Sequence, residues 1–438
     1  MSADAALAAA RARDAADPLR DWRAQFALPR AEGGLAERGE PLTYLCGHSL
    51  GLMPLAARER VNEELDDWSR LAVLGHEHAR RPWIPYHENL AAGLATLAGA
   101  DVSEVVAMNS LTVNLHLLLA SFYRPEGKRT RILIEAGAFS SDRHAVTSQI
   151  AWRGLDPESA LLELAPQPGE DTVPEEAIEA CLARHGEEIA LVLWPGVQFR
   201  TGQAFDMARI ARAAHARGCL AGFDLAHSIG NLPLAMHASE ADFAVWCSYK
   251  YLNGGPGAIG GCFVHQRHCA AQPRNRHAGG LPGARLAGWW SHEEATRFLM
   301  EREFRASSGA AGWQISNPPI LAAAPLIASL AIFTAAGMER LRAKSVELTD
   351  YLDALVRPLE PTVHIVTPRD SARRGCQLSL RITGGRGRRV FEALTARGVI
   401  CDWRTPDIIR MAPVPLYNRF EDVWSCARTL EDVLRDTP

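Results

Sequence analysis

Between residues 130 and 265, short apolar runs rich in β-branched residues alternate with amphipathic stretches, the pattern of βαβ units laid on a parallel sheet. Arg131–Glu135 and residues 189–194, 219–223 and 243–247 read as buried strands. Ser140 and Ser141 read as caps for a helix beginning near Asp142, and residues 205–217 as a helix closed by Gly218. Ligands of such sheets bind outside the carboxyl ends of the strands, which puts Phe139 to Asp142, Asp224 to His227 and Ser248 to Tyr251 first among the residues to inspect.

Beyond residue 338 the periodicity changes. A long helix over 338–359, an alternating strand over 376–383, a helix over 388–397 closed by Gly398, two short strands and a helix from Phe420 predict a smaller α+β unit. The expected fold class is therefore α/β, with an N-terminal segment (1–60), a large domain (61–315) and a small C-terminal domain (316–438). Residues 318–338 carry no charge over a length that could cross a bilayer. Alanine contributes little to insertion, and Pro325 at a helix start would leave 326–336 as a short buried helix, so no membrane span is expected.

Composition narrows the function classes. Of 438 residues, 47% are hydrophobic and 22% charged, which excludes a disordered chain. With 47 Lys+Arg against 51 Asp+Glu, and the arginines scattered, there is no basic field for nucleic acid or an anionic membrane. Nine cysteines without a C-x-x-C pair read as reduced thiols in a cytoplasmic protein. Asp4, Asp14 and Asp17 interrupt the alanine-rich N-terminus, which reads as a surface helix and not as a leader.

Two short motifs are weak. Gly255-Pro-Gly257-Ala-Ile-Gly260 matches G-x-G-x-x-G but precedes a strand where a dinucleotide fingerprint would follow one, so it reads as a turn. His76 and His78 lack the third ligand of a metal site, and no metal is expected. A distributed set carries more. Asp224 and Lys250 each end an apolar strand, where burial of charge is costly without a partner or a task. A structural ion pair between them is one reading; the other is a Schiff-base lysine under pyridoxal phosphate, with the carboxylate on the pyridine nitrogen. The second reading needs a phosphate cradle, an aromatic cover and a carboxylate clamp. The helix start at Ser110 or Thr112, Phe139, and Arg410 among apolar neighbours offer these.

Six segments in order, Tyr44-Leu-Cys-Gly-His-Ser-Leu-Gly-Leu52, Leu111-Thr-Val-Asn-Leu-His-Leu117, Gly222-Phe-Asp-Leu-Ala-His-Ser228, Cys247-Ser-Tyr-Lys-Tyr-Leu252, Ile315-Ser-Asn-Pro-Pro319 and Met411-Ala-Pro-Val-Pro-Leu-Tyr-Asn418, together resemble kynureninase from about residue 40 to the C-terminus. The resemblance implies the fold type I architecture of pyridoxal 5'-phosphate enzymes, with a mainly parallel seven-stranded sheet, and a homodimer with active sites at the subunit interface. It implies hydrolysis of L-kynurenine or 3-hydroxy-L-kynurenine to the corresponding anthranilate and L-alanine. By motif, Lys250 would carry the cofactor, Asp224 would pair with its ring nitrogen, and His227 would lie beside them. Leu111, Thr112, Tyr249 and Trp289 would hold the phosphate, and Phe139 would stack on the ring with Ser140, Ser141 and Asp142 close by. Ser49, His76, Asn317 and Arg410 would face the substrate, Arg410 on its α-carboxylate, with Asn317 also near the cofactor. Tyr249 or Lys250 would deliver the last proton to alanine. Where the family usually has Asn, this chain has His48.

Within the family, a polar aryl pocket such as His76, Ser316 and Asn317 would form goes with 3-hydroxykynurenine, and so with NAD biosynthesis. The alternatives on the same fold are an aminotransferase or a cysteine desulfurase. A metal-dependent hydrolase using His76 and His78 belongs to another class, and a ligand-binding relative without turnover is a third possibility.

Overall fold

A strand that is apolar on both faces must be covered on both, and the computed structural model, which describes residues 3–32, 39–269 and 285–437, meets that requirement with helices on either side of a seven-stranded sheet. In chain order the strands are β1 (Thr43–Tyr44), β2 (Val105–Ala107), β3 (Arg131–Glu135), β4 (Leu161–Leu164), β5 (Ile189–Pro195), β6 (Leu220–Asp224), β7 (Phe243–Trp246) and β8 (Gly261–Val264). The small unit adds β9 (Val363–Ile365), β10 (Leu378–Ile382), β11 (Val399–Ile400), β12 (Asp402–Arg404) and β13 (Ile408–Met411).

The large sheet has the order β2-β8-β7-β6-β5-β3-β4, with β8 antiparallel to both neighbours and the other pairs parallel. β3 has β4 on one side and β5 on the other, so the crossovers diverge there and leave a crevice at the carboxyl ends. Val192 and Trp194 of β5 face one core, shared with the helices Glu88–Ala98, Met207–His215 and Ile320–Ala336. Leu191 and Leu193 face the other, shared with Leu111–Phe122 and Ser140–Trp152. The small sheet, β12-β13-β10-β9, is antiparallel and is covered by the helices Met338–Val356, Gly387–Ala396 and Phe420–Asp436.

Several element ends differ from the sequence pattern for identifiable reasons. The helix Ser140–Trp152 starts two residues early, with Phe139 at the N-cap position, so Ser140 and Ser141 belong to its first turn and are not caps. The helix expected over 205–217 is Met207–His215, because Asp206 caps it by accepting the Arg209 N–H at 2.9 Å. Pro325 lies inside Ile320–Ala336 and does not start a helix. It costs one hydrogen bond near the helix start, and burial of Ala323, Ala324, Leu326 and Leu330 outweighs that loss. Among the described residues no single helix is long and apolar enough to cross a membrane. Gly255 and Gly257, both at positive φ, form the turn before β8, so the glycine motif opens no helix.

The N-terminal segment joins the small unit. Asp14, in the helix Ala3–Ala16, accepts the N–H groups of Phe420 and Glu421 at 2.7 and 3.0 Å, capping the last helix from the far end of the chain. β1 pairs in parallel with β11, and Cys46 continues the contact as a bridge to Ala412. The turn that follows docks on the loop after β7, where the Gly51 N–H donates to the Tyr249 carbonyl at 2.8 Å. A Cβ on Gly51 would lie 2.3 Å from the Lys250 carbonyl oxygen, an approach that backbone cannot relieve. Gly51→Ala is therefore expected to cost about 1–3 kcal/mol in chemical denaturation; an unchanged midpoint would contradict the close docking.

Candidate active site

The chain has only three lysines. Lys128 pairs with Glu187 at the surface and Lys344 pairs with Asp17 at 2.7 Å. Lys250 differs: among the described residues its Nζ meets His227 Nε2 at 3.1 Å and forms no ion pair with Asp224 or any other carboxylate. The structural ion pair considered from the sequence is therefore not formed. Lys250 sits in the bend after β7, which is closed by the Asn253 N–H donating to its carbonyl at 3.0 Å and by Asn253 at φ +51°.

Lys250 looks into a cavity built from the carboxyl ends of β3, β5, β6 and β7 and from the start of the helix Leu111–Phe122. Asp224 ends β6, and its Oδ1 accepts the Ala226 N–H at 2.7 Å. Asp142 reaches the same space from the first turn of the helix Ser140–Trp152, its Oδ1 accepting from Ser141 Oγ at 3.2 Å. Burial, and then the Asp224 charge beside it, raise the Asp142 carboxyl well above the usual range, which favours its protonated form. Burial, with Lys250 and Arg410 nearby, pushes His227 far down and leaves a neutral imidazole whose Nδ1 has no hydrogen-bond partner.

Phe139 is 37% exposed, so it is not a core residue; Lys250 Nζ stands 5.7 Å from its ring centroid. Asn109, at φ +44°, directs the chain into the helix Leu111–Phe122, and its side chain donates to Asn114 Oδ1 at 2.9 Å. Ser110 occupies the N-cap position without a side-chain cap bond, and Thr112 lies in the first turn and not at the cap. The first N–H groups therefore remain available to an anion. Leu111, Thr112, Ser141 and Tyr249 line the cavity; Ser140 is exposed and does not. Burial raises the Tyr249 hydroxyl, keeping it a phenol.

One lining residue escaped the sequence reading. Glu135, at the end of β3, is 3% exposed, and burial moves its carboxyl up to about 8 despite a hydrogen bond from Gln198. Glu135 ends an apolar run as Asp224 does, so the cost of burying a charge there was the signal that could have found it.

Arg410 on β13 is almost wholly buried beside this cavity. Its Nη1 donates to the Phe199 carbonyl at 2.6 Å, and the Phe199 ring meets Phe139 edge-on with centroids 5.1 Å apart. Its Nε and Nη2 are held by Asp402, its register partner on β12. Ser49 lies in the turn that docks on Tyr249 and is not among the cavity's lining residues.

His76, Trp289 and Asn317 lie elsewhere. They line a second pocket with Val73, Leu74 and Phe298, and it shares no residue with the first. Trp289 is thus not brought to Leu111 and Thr112 within the described residues of one chain. His76 packs edge-on against Trp83, and the group with metal-like spacing is instead Glu104, His237 and His265. There Glu104 already accepts from the N–H groups of Gln266 and Asp101 and pairs with His237, which satisfies it without an ion.

Similar proteins have this architecture and sequence. Solved structures of a cystine C–S lyase, C-DES, in complex with cysteine persulfide (TM-score 0.73, 19% identity, 91% of this chain and 98% of that one) and of a cysteine desulfurase from Escherichia coli (TM-score 0.73, 18% identity, 96% and 99%) share the fold. A family model described as the kynureninase C-terminal domain matches residues 341–430. Kynureninase from Xanthomonas campestris pv. campestris (strain B100) is 55% identical over 425 residues, covering 96% of each chain. Kynureninase from Xanthomonas oryzae pv. oryzae (strain PXO99A) is 56% identical over 415 residues, covering 94% of each. With a cofactor-type cavity of this shape, the fold type I architecture and an identity that runs through the whole length, the chain belongs to the kynureninase family.

Proposed function

We propose that this protein is a cytoplasmic, pyridoxal 5'-phosphate-dependent kynureninase that hydrolyses the Cβ–Cγ bond of kynurenines, preferring 3-hydroxy-L-kynurenine, to 3-hydroxyanthranilate and L-alanine, the step toward NAD biosynthesis. The observation that carries the reading is the convergence of Lys250, His227, Asp224 and a protonated Asp142 on one cavity beneath Phe139. The residues fit the cofactor: among the described residues the buried His227 Nδ1 lacks a partner, the helix start at Ser110 is uncapped, and Lys250 is held by no carboxylate.

When bound, the cofactor supplies an electron sink for cleavage next to the amino-acid Cα. Lys250 would anchor it and then, as the free amine, move the Cα proton. Asp224, oriented by the Ala226 N–H, would hold the proton on the ring nitrogen, and neutral Asp142 adds no second charge to compete for it. Leu111 and Thr112 would bind phosphate through the helix start, and Phe139 would cover the ring and exclude water. Tyr249, which lines the cavity and is kept protonated by burial, would deliver a proton to the alanine carbon. Arg410 would take the substrate α-carboxylate.

The second pocket belongs to the same reading. Val73, Leu74, Phe298, Leu299 and Met300 are between 54% and 73% exposed, an apolar face that a monomer would leave in water. In a homodimer it would bring His76, Trp289 and Asn317 to the partner's cavity, where they would contact the aryl ring and the phosphate. A desulfurase needs a reactive thiolate, and burial raises all nine cysteine thiols above their ordinary range.

Turnover of L-kynurenine and 3-hydroxy-L-kynurenine by the cofactor-loaded protein is expected to release alanine and the aromatic acid in equal amounts. The hydroxylated substrate should have at least a tenfold higher kcat/KM, and Asn317→Ala should erase that margin; equal kcat/KM values in the wild type would reject the preference, and no cleavage would reject the activity. Sedimentation should give the mass of two chains. Val73→Asp should shift it to one and abolish turnover; a fully active monomer would exclude the shared site.

Glu135 sets a pH dependence of stability. It is neutral when folded up to about pH 8 but ionises near 4.5 when unfolded, so the wild type loses stability between those values as the unfolded chain releases its proton first. Glu135→Gln should match the wild type near pH 4, gain on it through the interval by on the order of a few kcal/mol, and hold that lead above pH 8. A melting-temperature difference that does not vary with pH would show that Glu135 is not buried as an acid.

A further inference from the structure

His48 occupies the position where the family usually has Asn, and in this chain it is fully buried, with neither ring nitrogen hydrogen-bonded among the described residues. An unpartnered buried imidazole is unfavourable, so what lies near it matters. Its Nε2 is 3.8 Å from Asp402 Oδ2. Lys250, Arg410 and the His227 ring, 6.3 Å away between centroids, complete the charged and titratable surroundings. Burial, with Arg410 beside it, pushes the imidazole down to about 3, so it stands neutral with one N–H to give.

The same Asp402 oxygen is crowded. It accepts from Arg410 Nε at 2.5 Å, from Arg410 Nη2 and from Arg404 Nε at 2.9 Å. With Arg410 Nη1 on the Phe199 carbonyl, three of its five N–H groups are engaged, and the Nε–Nη2 edge, which grips a carboxylate side-on, is the one that Asp402 holds. A carboxylate ligand can pair side-on with that edge of Arg410 only by displacing Asp402, the partner of like chemistry. Asp402 would then be left with Arg404 alone in a largely buried place.

We propose that His48 is a positioning residue for the carboxylate site: when Arg410 turns from Asp402 to the α-carboxylate of an amino-acid ligand, His48 closes on the released Asp402 oxygen and satisfies it. A move from 3.8 Å to about 2.9 Å suffices. The hand-over lowers the cost of freeing Arg410, and it gives a task to a buried imidazole whose ring nitrogens are otherwise unpartnered among the described residues. The proposal rests on Arg410 as the carboxylate clamp.

The test uses the cofactor-loaded full chain with L-kynurenine as substrate and its decarboxylated amine as competitive inhibitor. His48→Leu should raise KM about tenfold, more than it lowers kcat, and leave the inhibition constant of the amine within about twofold. Calorimetric titration with L-alanine, which has the carboxylate but no aryl ketone, should show the same loss without turnover. His48→Gln, which keeps a donor, should recover most of both. In an Asp402→Asn background the His48 substitution should no longer change KM, and where His48→Leu does not fold, His48→Asn and His48→Gln carry this comparison. An unchanged KM in His48→Leu, equal losses for the amine and the amino acid, or an equal rise in both backgrounds overturns the proposal. A wild type that turns over neither L-kynurenine nor 3-hydroxy-L-kynurenine overturns the reading of the site along with it; wild-type turnover with His48→Leu unaffected overturns this inference alone.

Discussion

Ionisable groups brought out of water at the carboxyl ends of a parallel sheet must either be paired or be held in their neutral forms, and that requirement organises this protein. Asp142 and Glu135 are kept protonated, His227 is kept neutral, and Lys250 reaches an imidazole where a carboxylate would have neutralised it permanently. The strand order makes the place for them. Divergence of the crossovers around β3 opens the crevice, and β3, β6 and β7 each contribute an ionisable residue at or just after their ends. The energy for holding these groups together comes from the two apolar cores on either side of the sheet.

The small unit acts on the cavity through a few backbone contacts. The loop after β5 is tied to the small sheet by Gln377 donating to the Phe199 carbonyl, Ser379 to the Arg200 carbonyl and Thr367 to the Thr201 carbonyl. Arg410 adds its own bond to Phe199, whose ring abuts Phe139. From the opposite side, the N-terminal turn packs Gly47 on Tyr417 and Val414 and presses Gly51 on the Lys250 loop, where a side chain would collide with the Lys250 carbonyl. A change in either strap is thus felt at the lysine without touching it.

Much of this was legible along the chain. Strands buried on both faces announce themselves as unbroken apolar runs, and β3, β5, β6 and β7 fall within a residue or two of where the pattern put them. Lys250, Asp224 and His227 were readable because charge at the end of such a run is expensive without a task. What was not readable depends on contacts between distant segments. The starts of the helices at Ser140 and Ile320 were set by local dihedrals and by tertiary burial that overrode the caps and the proline. The Asp402 grip on Arg410 comes from the register between two strands of the small sheet, which the pattern along the chain does not set. The placement of His76, Trp289 and Asn317 in a pocket of their own follows from chain geometry that six short motifs do not encode.

The central claim is that Lys250 is the attachment point for pyridoxal phosphate. Borohydride reduction of the cofactor-loaded protein followed by peptide mass mapping tests it directly, because only Lys128 and Lys344 compete and both are ion-paired away from the cavity. The account predicts the phosphopyridoxyl mass on the peptide containing Lys250 and on no other, and none in Lys250→Ala. Stoichiometric label on Lys128 or Lys344, or label that persists in Lys250→Ala, would contradict it.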